Sequence, residues 1–96
     1  MTDRKAREVL RMYRKWFRDR HIPKRIMDHD LVCPSAGAAL KHCHNMLDKM
    51  EKMVGVAEDK EKFARWLGFI QGILCVCEHF TLKQLRDHNR SRSRHR

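Results

Sequence analysis

The fold of this chain is decided by one apolar stretch, Phe63-Ala-Arg-Trp-Leu-Gly-Phe-Ile-Gln-Gly-Ile-Leu-Cys-Val-Cys77, in which only Arg65 and Gln71 are polar. Its large side chains recur at helical spacing as two stripes on different faces: Phe63, Leu67, Ile70, Leu74 and Cys77, and Trp66, Phe69, Ile73 and Val76. We predict a helix over 58–79. A helix that is apolar nearly all round must be covered nearly all round.

A small domain with three other helices cannot easily surround such a helix, so we expect a second copy of the chain or a partner to cover one face. Gly68 and Gly72 lie on one side of this helix, although glycine destabilises the interior of a helix. They indicate close approach by a neighbouring helix. The expected self-interface comprises Trp66, Gly68, Phe69, Gly72 and Ile73. The run is too short to cross a bilayer, so we expect no membrane association.

Outward from this stretch, apolar periodicity predicts helices over 3–20 and 36–54, and capping signals predict a short one over 82–89. Thr2 or Asp3 and Ser35 are candidate N-caps, and Gly55 suits the left-handed position after the second helix. Thr81 with Gln84 forms a capping box. The sequence thus predicts an all-α fold, a compact bundle of three main helices plus a short C-terminal helix, forming one domain over 1–89 and expected to be oligomeric.

The second helix is expected to bury the seam Ala36, Leu40, Cys43, Leu47, Met50 and Val54. Its polar residues, His44 and Asp48 among them, are expected to be mostly solvated.

The chain has 96 residues and a formal net charge of +10, which indicates an anionic partner. The surplus is five in residues 1–30, zero in 31–62 and five in 63–96. Residues 90–96 contain no apolar side chain, so we expect a disordered basic tail. No apolar segment follows the charged start, so we expect no secretory signal and an intracellular protein.

Five arginines of the first helix are spaced three, four, three and four residues apart: Arg4, Arg7, Arg11, Arg14 and Arg18. This spacing places five guanidinium groups along one side, where each can donate paired hydrogen bonds to phosphate or carboxylate. We expect them to bind an anionic target, with Tyr13 and Trp16 available for apolar or stacking contact. The alternative is a solvated helix face.

Arg65 precedes Trp66 within the apolar stretch, and three roles remain open for it: an interface ion pair, a pocket for an anionic ligand, or the rim of the helix. We include Arg65 among the candidate target-binding residues.

Cysteine and histidine do not show metal-ligand spacing, because the four cysteines (Cys33, Cys43, Cys75 and Cys77) contain no Cys-x-x-Cys pair. Cys75 and Cys77 point in different directions on a helix. We therefore expect small buried residues, with no metal and no cofactor. Nucleophile candidates are few and no glycine-rich phosphate loop is present, so we expect no enzymatic activity.

Two segments, Lys62-Phe-Ala-Arg-Trp-Leu-Gly-Phe-Ile-Gln-Gly72 and Phe80-Thr-Leu-Lys-Gln-Leu-Arg-Asp-His-Asn-Arg90, resemble a group of small helical proteins from tailed-phage genomes. The segment Ser35-Ala-Gly-Ala-Ala-Leu-Lys-His-Cys-His-Asn-Met-Leu-Asp-Lys-Met50 extends this resemblance over residues 35–90, without the Arg-rich first helix. The family has no settled activity, so the resemblance implies no ligand or catalytic residues. The sequence departs from the family pattern at Leu74-Cys75, where the family leads us to expect a Leu-Trp pair. This difference supports the interpretation of Cys75 as a core position.

The resemblance implies a phage accessory protein that blocks a host or bacterial defence protein by stoichiometric binding in the cytoplasm of an infected cell. The target would be a protein that handles nucleic acid, or a nucleotide signal. Two alternatives stay open: a direct DNA- or RNA-binding regulator, and a zinc-stabilised module.

Overall fold

The computed structural model describes residues 1–28, 30, 32–33, 35–77 and 80–90, and within them the chain is helical with no strand. The helices are α1 (Asp3–Asp19), α2 (Ala36–Met53), α3 (Lys60–Val76) and α4 (Leu82–His88). A single 3-10 turn, Ala57–Asp59, leads into α3. The predicted all-α fold of three long helices and a short fourth is confirmed.

The helix ends form where the sequence places them. The Thr2 side chain accepts a hydrogen bond from the Lys5 amide, and Ser35 accepts one from Ala38. Thr81 and Gln84 form both hydrogen bonds of the capping box at the start of α4. Gly55 has φ 85°, in the left-handed region that glycine adopts without steric cost.

The third helix begins later than predicted, at Lys60 instead of 58. The Asp59 amide donates to the Val56 carbonyl, which closes a tighter 3-10 turn before the helix starts. Residues 78 and 79 of the predicted helix lie outside the described residues, as do residues 91–96 of the predicted tail.

The core forms between α1, α2 and α3, and α2 packs against both neighbours. Its fully buried large side chains come from all three helices: Val9, Leu10, Tyr13, Phe17, Cys43, Leu47, Met50, Ile70 and Leu74. The seam predicted for α2 is therefore buried at Cys43, Leu47 and Met50. Truncating one of these large apolar side chains to alanine typically costs about 2–5 kcal/mol.

His44 corrects the expectation that the polar residues of α2 are solvated, because this side chain is buried. Its Nδ1 lies 2.7 Å from the Ile22 carbonyl oxygen, and its ring stacks on Phe17 with 4.9 Å between ring centroids. Burial lowers the pKa of His44 below its ordinary value. The Ile22 carbonyl, in the connector after α1, thus supplies the hydrogen-bond partner that offsets the cost of burying this imidazole.

The described chain does not cover α3 on every side. Phe63, Leu67, Ile70 and Leu74 face the core, whereas Phe69 is 42% and Val76 is 80% exposed. A Cβ added at Gly68 or Gly72 would meet no atom within 4 Å. The expected close approach of a neighbouring helix is therefore not made within the described part of the chain, and a second copy stays a prediction. No described helix has the length and apolar character needed to span a membrane.

Candidate anion-binding surfaces

The five arginines of α1 divide into two groups. Arg14 is turned towards α2, and its side chain is only 18% exposed. The other four are exposed, and we call Arg4, Arg7, Arg11 and Arg18 the Arg face. The regular spacing that predicted one continuous stripe does not reveal this division.

Arg14 connects α1 to α2 through two carboxylates. Its Nη1 lies 2.7 Å from Asp48 Oδ1, and its Nη2 lies 3.2 Å from Glu51 Oε2. Lys24 adds a third contact, 3.1 Å from Asp48 Oδ2. The hydrogen bond from Arg14 is the largest cause of the lowered pKa of Asp48. The predicted role of Arg14 in target binding is corrected, because its guanidinium is already neutralised by the fold.

The Arg face carries charge that the fold leaves largely unpaired. Arg4 has a long 3.7 Å contact with Glu8, and its side chain is 91% exposed. Among the described residues, Arg7, Arg11 and Arg18 make no salt bridge. At 1.5 Å of helix rise per residue, these three span roughly 16 Å. The Arg face is therefore a narrow positive ridge on the outside of the bundle.

Tyr13 is not available to a target, which corrects the second expectation for α1. Its side chain is 0% exposed, and burial raises the pKa of its hydroxyl to about 12. Gln71 Nε2 donates to this hydroxyl over 3.0 Å, and the hydroxyl lies 2.9 Å from His88 Nδ1. Tyr13 therefore ties α1 to α3 and α4.

Gln71 and Asn89 extend this polar contact. Their side-chain amides exchange two hydrogen bonds, of 2.8 and 3.1 Å. Gln71, a polar interruption of the apolar stretch, thus holds the end of α4 against α3.

Trp16 is half-buried and packs against the core. It meets Phe17 edge-on at 5.1 Å and Phe80 at 5.9 Å between centroids. The Arg20 guanidinium carbon lies 4.1 Å above its ring centre. One face of this indole is thus covered by a cation of the same chain.

Arg65 lies on the exposed side of α3 and lines a groove between α2 and α3 of about 600 Å³. Trp66 and Phe69 also line this space. We call it the α2–α3 groove, and its cationic side chains are Lys49, Lys52, Lys62 and Arg65. Arg65 therefore lies at a groove rim and is not buried, which is one of the roles that the sequence left open.

The sequence interpretation missed the other three cations of this groove. Lys49 and Lys52 are three residues apart on α2, and Lys62 and Arg65 are three apart on α3. Residues three apart share a helix face, so each pair was detectable. Nothing local indicated that the two pairs face each other.

The residues predicted for self-association are divided by the structure. Trp66 and Phe69 line the α2–α3 groove, whereas Ile73 packs partly against the core. Gly68 and Gly72 lie on an exposed part of α3 outside that groove. Trp66 and Phe69 therefore face the groove, whereas Gly68 and Gly72 lie beside it on the exposed surface of α3.

The described cysteines and histidines do not assemble a metal-binding cluster. Within the described ranges, no group of three or more His, Cys, Asp or Glu residues could hold a metal ion. Cys43 is buried, and desolvation raises the pKa of its thiol to about 12, whereas Cys33 is exposed. The described cysteines are free thiols.

Comparisons with protein-family models, curated proteins and solved structures find no match to this chain. Its interpretation therefore rests on its own residues and their arrangement.

Proposed function

We propose that the chain is a non-enzymatic binding protein that binds an anionic partner through the Arg face of α1. The observation that carries this proposal is the contrast within one helix. Arg14 has two carboxylate partners from α2, whereas Arg7, Arg11 and Arg18 make no salt bridge among the described residues. Like charges at this spacing repel each other along a helix. A partner with negative charge would remove that cost.

An acidic protein surface suits this ridge better than a nucleic-acid backbone does. Glu8 and Asp19 on α1, and Asp48 and Glu51 on α2, place negative charge close to the arginines. Affinity for a phosphate backbone grows with the number of phosphates that are neutralised, and Arg7, Arg11 and Arg18 span only roughly 16 Å. A narrow ridge bordered by carboxylates instead fits the groove of a protein, where each guanidinium can pair with one carboxylate.

The resemblance to small tailed-phage proteins adds an expectation about the partner's identity. It would be a host or bacterial defence protein that handles nucleic acid, blocked by stoichiometric binding in an infected cell. A nucleotide signal is the second target that this expectation includes.

The test is quantitative affinity purification from infected cells with three forms of the chain. The Arg-face variant changes Arg7, Arg11 and Arg18 to Gln. The control variant changes Lys60, Arg86 and Arg90 to Gln, which removes the same charge from exposed positions elsewhere. We expect one protein to be recovered with the wild-type and control chains and lost with the Arg-face variant. Recovery of the same proteins with all three chains would overturn the proposal.

The alternative, a direct DNA- or RNA-binding regulator, is supported by the net charge of +10. A protein with about six phosphate contacts loses roughly 10³-fold or more in affinity between 50 and 200 mM salt. Titration with mixed-sequence DNA and RNA at these two salt concentrations separates the candidates. Undetectable binding even at low salt excludes the regulator.

A further inference from the structure

The α2–α3 groove brings an exposed aromatic surface next to cations that make no salt bridge with a described residue. Phe69 is 42% exposed in the groove, and Trp66 is half-buried beside it. A volume of about 600 Å³ falls within the range of about 300–1,000 Å³ that is usual for small-molecule sites.

The groove is positively charged and lacks internal neutralisation. Among its described lining residues, Asp59 is the single carboxylate against four cationic side chains. Lys49, Lys52 and Arg65 are exposed and make no salt bridge with a described residue. A ligand with more than one negative group would therefore be attracted to the groove most strongly.

The aromatic residues indicate that the ligand contains a planar ring in addition to its negative groups. The Lys62 ammonium lies 5.4 Å above the Trp66 ring centre, so this face of the indole is covered by a cation of the same chain, as Arg20 covers Trp16. Phe69 is held edge-on by the His42 ring at 6.3 Å between centroids. His42 is itself positioned, because its Nδ1 accepts a hydrogen bond of 3.1 Å from the Met27 amide. A planar base can therefore stack on the exposed Phe69 ring, which the fold already orients.

Charge disfavours a second copy of this chain as the occupant of the groove. In a two-fold interface the same patch of both copies is brought together, so the four cations of one groove would lie near the four cations of the other. Repulsion of this kind disfavours the Trp66 and Phe69 side of α3 as the self-interface. The positive charge instead selects an anionic occupant.

We infer that the α2–α3 groove binds a nucleotide, with its base stacked on Phe69 beside Trp66 and its phosphates paired with Lys49, Lys52 and Arg65. This site is separate from the Arg face, so it goes beyond the proposed function. The nucleotide can be free in solution or part of a single strand, because both present the same base and phosphate chemistry.

The experiment titrates ATP into the full chain, with Trp66 as the fluorescent reporter. Trp16→Phe removes the other tryptophan, and calorimetry on the unmodified chain gives an affinity free of that substitution. We expect saturable quenching at low salt. Lys52→Gln with Arg65→Gln should weaken ATP binding at least tenfold, whereas Lys60→Gln with Arg86→Gln should leave it within twofold.

Phe69→Ala tests whether the base of ATP stacks on this ring. Because Phe69 is exposed, we expect the variant to fold, and circular dichroism checks this. The substitution should weaken ATP binding at least threefold while leaving the binding of tripolyphosphate unchanged. Equal effects on ATP and tripolyphosphate would overturn the assignment of a base-binding site.

A short single-stranded oligonucleotide and a polyglutamate peptide complete the test. Oligonucleotide binding that is weakened by the groove variants supports the site and identifies the strand as the source of the nucleotide. Absence of saturable binding of both ATP and oligonucleotide overturns the inference. So does tighter binding of polyglutamate than of ATP, or binding that only Arg-face variants weaken. Because the groove variants leave α1 unchanged, failure here does not affect the proposed function.

Discussion

The Tyr13 hydroxyl on α1 lies 2.9 Å from Nδ1 of His88 on α4, although 75 residues separate them in the chain. Gln71 Nε2 donates to the same hydroxyl, so the hydroxyl can give its own hydrogen to an unprotonated Nδ1. This arrangement requires His88 to be neutral, with its proton on Nε2. One phenol thus joins α1, α3 and α4.

Tyr13→Phe should destabilise the fold by about 1–2 kcal/mol, because it removes a partner from both Gln71 and His88 in a part-buried site. For a domain of this size, each kcal/mol lowers the melting temperature by about 4–8 °C. Thermal unfolding measures this change. Hydrogen exchange should rise most in α4, and an unchanged melting temperature would show that the network contributes nothing.

Acidification should destabilise the protein as the pH falls below about 6.5, the ordinary pKa of an imidazole. Burial is the main cause that lowers the pKa of His44 and of His88 below the value of 6.5 typical of an exposed imidazole. The unfolded chain therefore binds protons in this range before the folded chain does, and unfolding becomes more favourable as the pH falls. The lowered pKa values of Asp19 and Asp48 act at lower pH.

Urea unfolding at several pH values measures this dependence. His88→Gln should flatten the curve, because it removes one of the two described imidazoles whose pKa is lowered in the folded chain. A free energy of unfolding that stays constant or rises on acidification would contradict this account of the two imidazoles.

Arg14→Gln should lower the free energy of unfolding by about 1 kcal/mol, because it leaves Asp48 and Glu51 without their partner on α1. Arg11→Gln, the matched change on the exposed side, should cost less than about 0.5 kcal/mol. Urea unfolding compares the two. The pKa of Asp48, followed by NMR, should rise in the Arg14 variant alone, and equal behaviour of both variants would contradict the division of the stripe.

Thiol reagents should modify Cys33 well before Cys43 in the folded protein. Cys33 is exposed, whereas Cys43 is buried and its thiol has a pKa raised to about 12 by desolvation. The reactive thiolate is therefore both scarce and shielded at Cys43. Iodoacetamide labelling with peptide mass spectrometry measures the two rates. Comparable rates without denaturant would show that the core opens readily around α2.

The sequence predicts the features that depend on neighbours along the chain. The caps at Thr2, Ser35 and Thr81 and the turn at Gly55 all form as expected, since each depends on residues within a few positions. The 3-10 turn before α3 is missed, because Asp59 lies at the N-cap without a side-chain capping hydrogen bond and the start of α3 thus lacks the local contact that fixes the other helix starts.

The sequence does not predict contacts between distant residues. The periodicity of α1 places Tyr13 on its apolar face, but it does not show that Gln71 and His88 bind the Tyr13 hydroxyl. Arg14 likewise resembles the other four arginines in the sequence, and only the packing of α2 brings carboxylates to it. The α2–α3 groove has the same origin. Lys52 and Arg65 belong to one surface only because their helices pack together.

The measurement that tests the central claim most directly is the dissociation constant of the co-purified partner for the three forms of the chain. A hydrogen bond to a charged group contributes about 1.5–3 kcal/mol, so loss of Arg7, Arg11 and Arg18 should weaken binding by at least about 100-fold. The control variant at Lys60, Arg86 and Arg90 should bind like the wild type. Equal affinities of all three forms, or equal losses in both variants, would contradict the assignment of the Arg face as the binding surface.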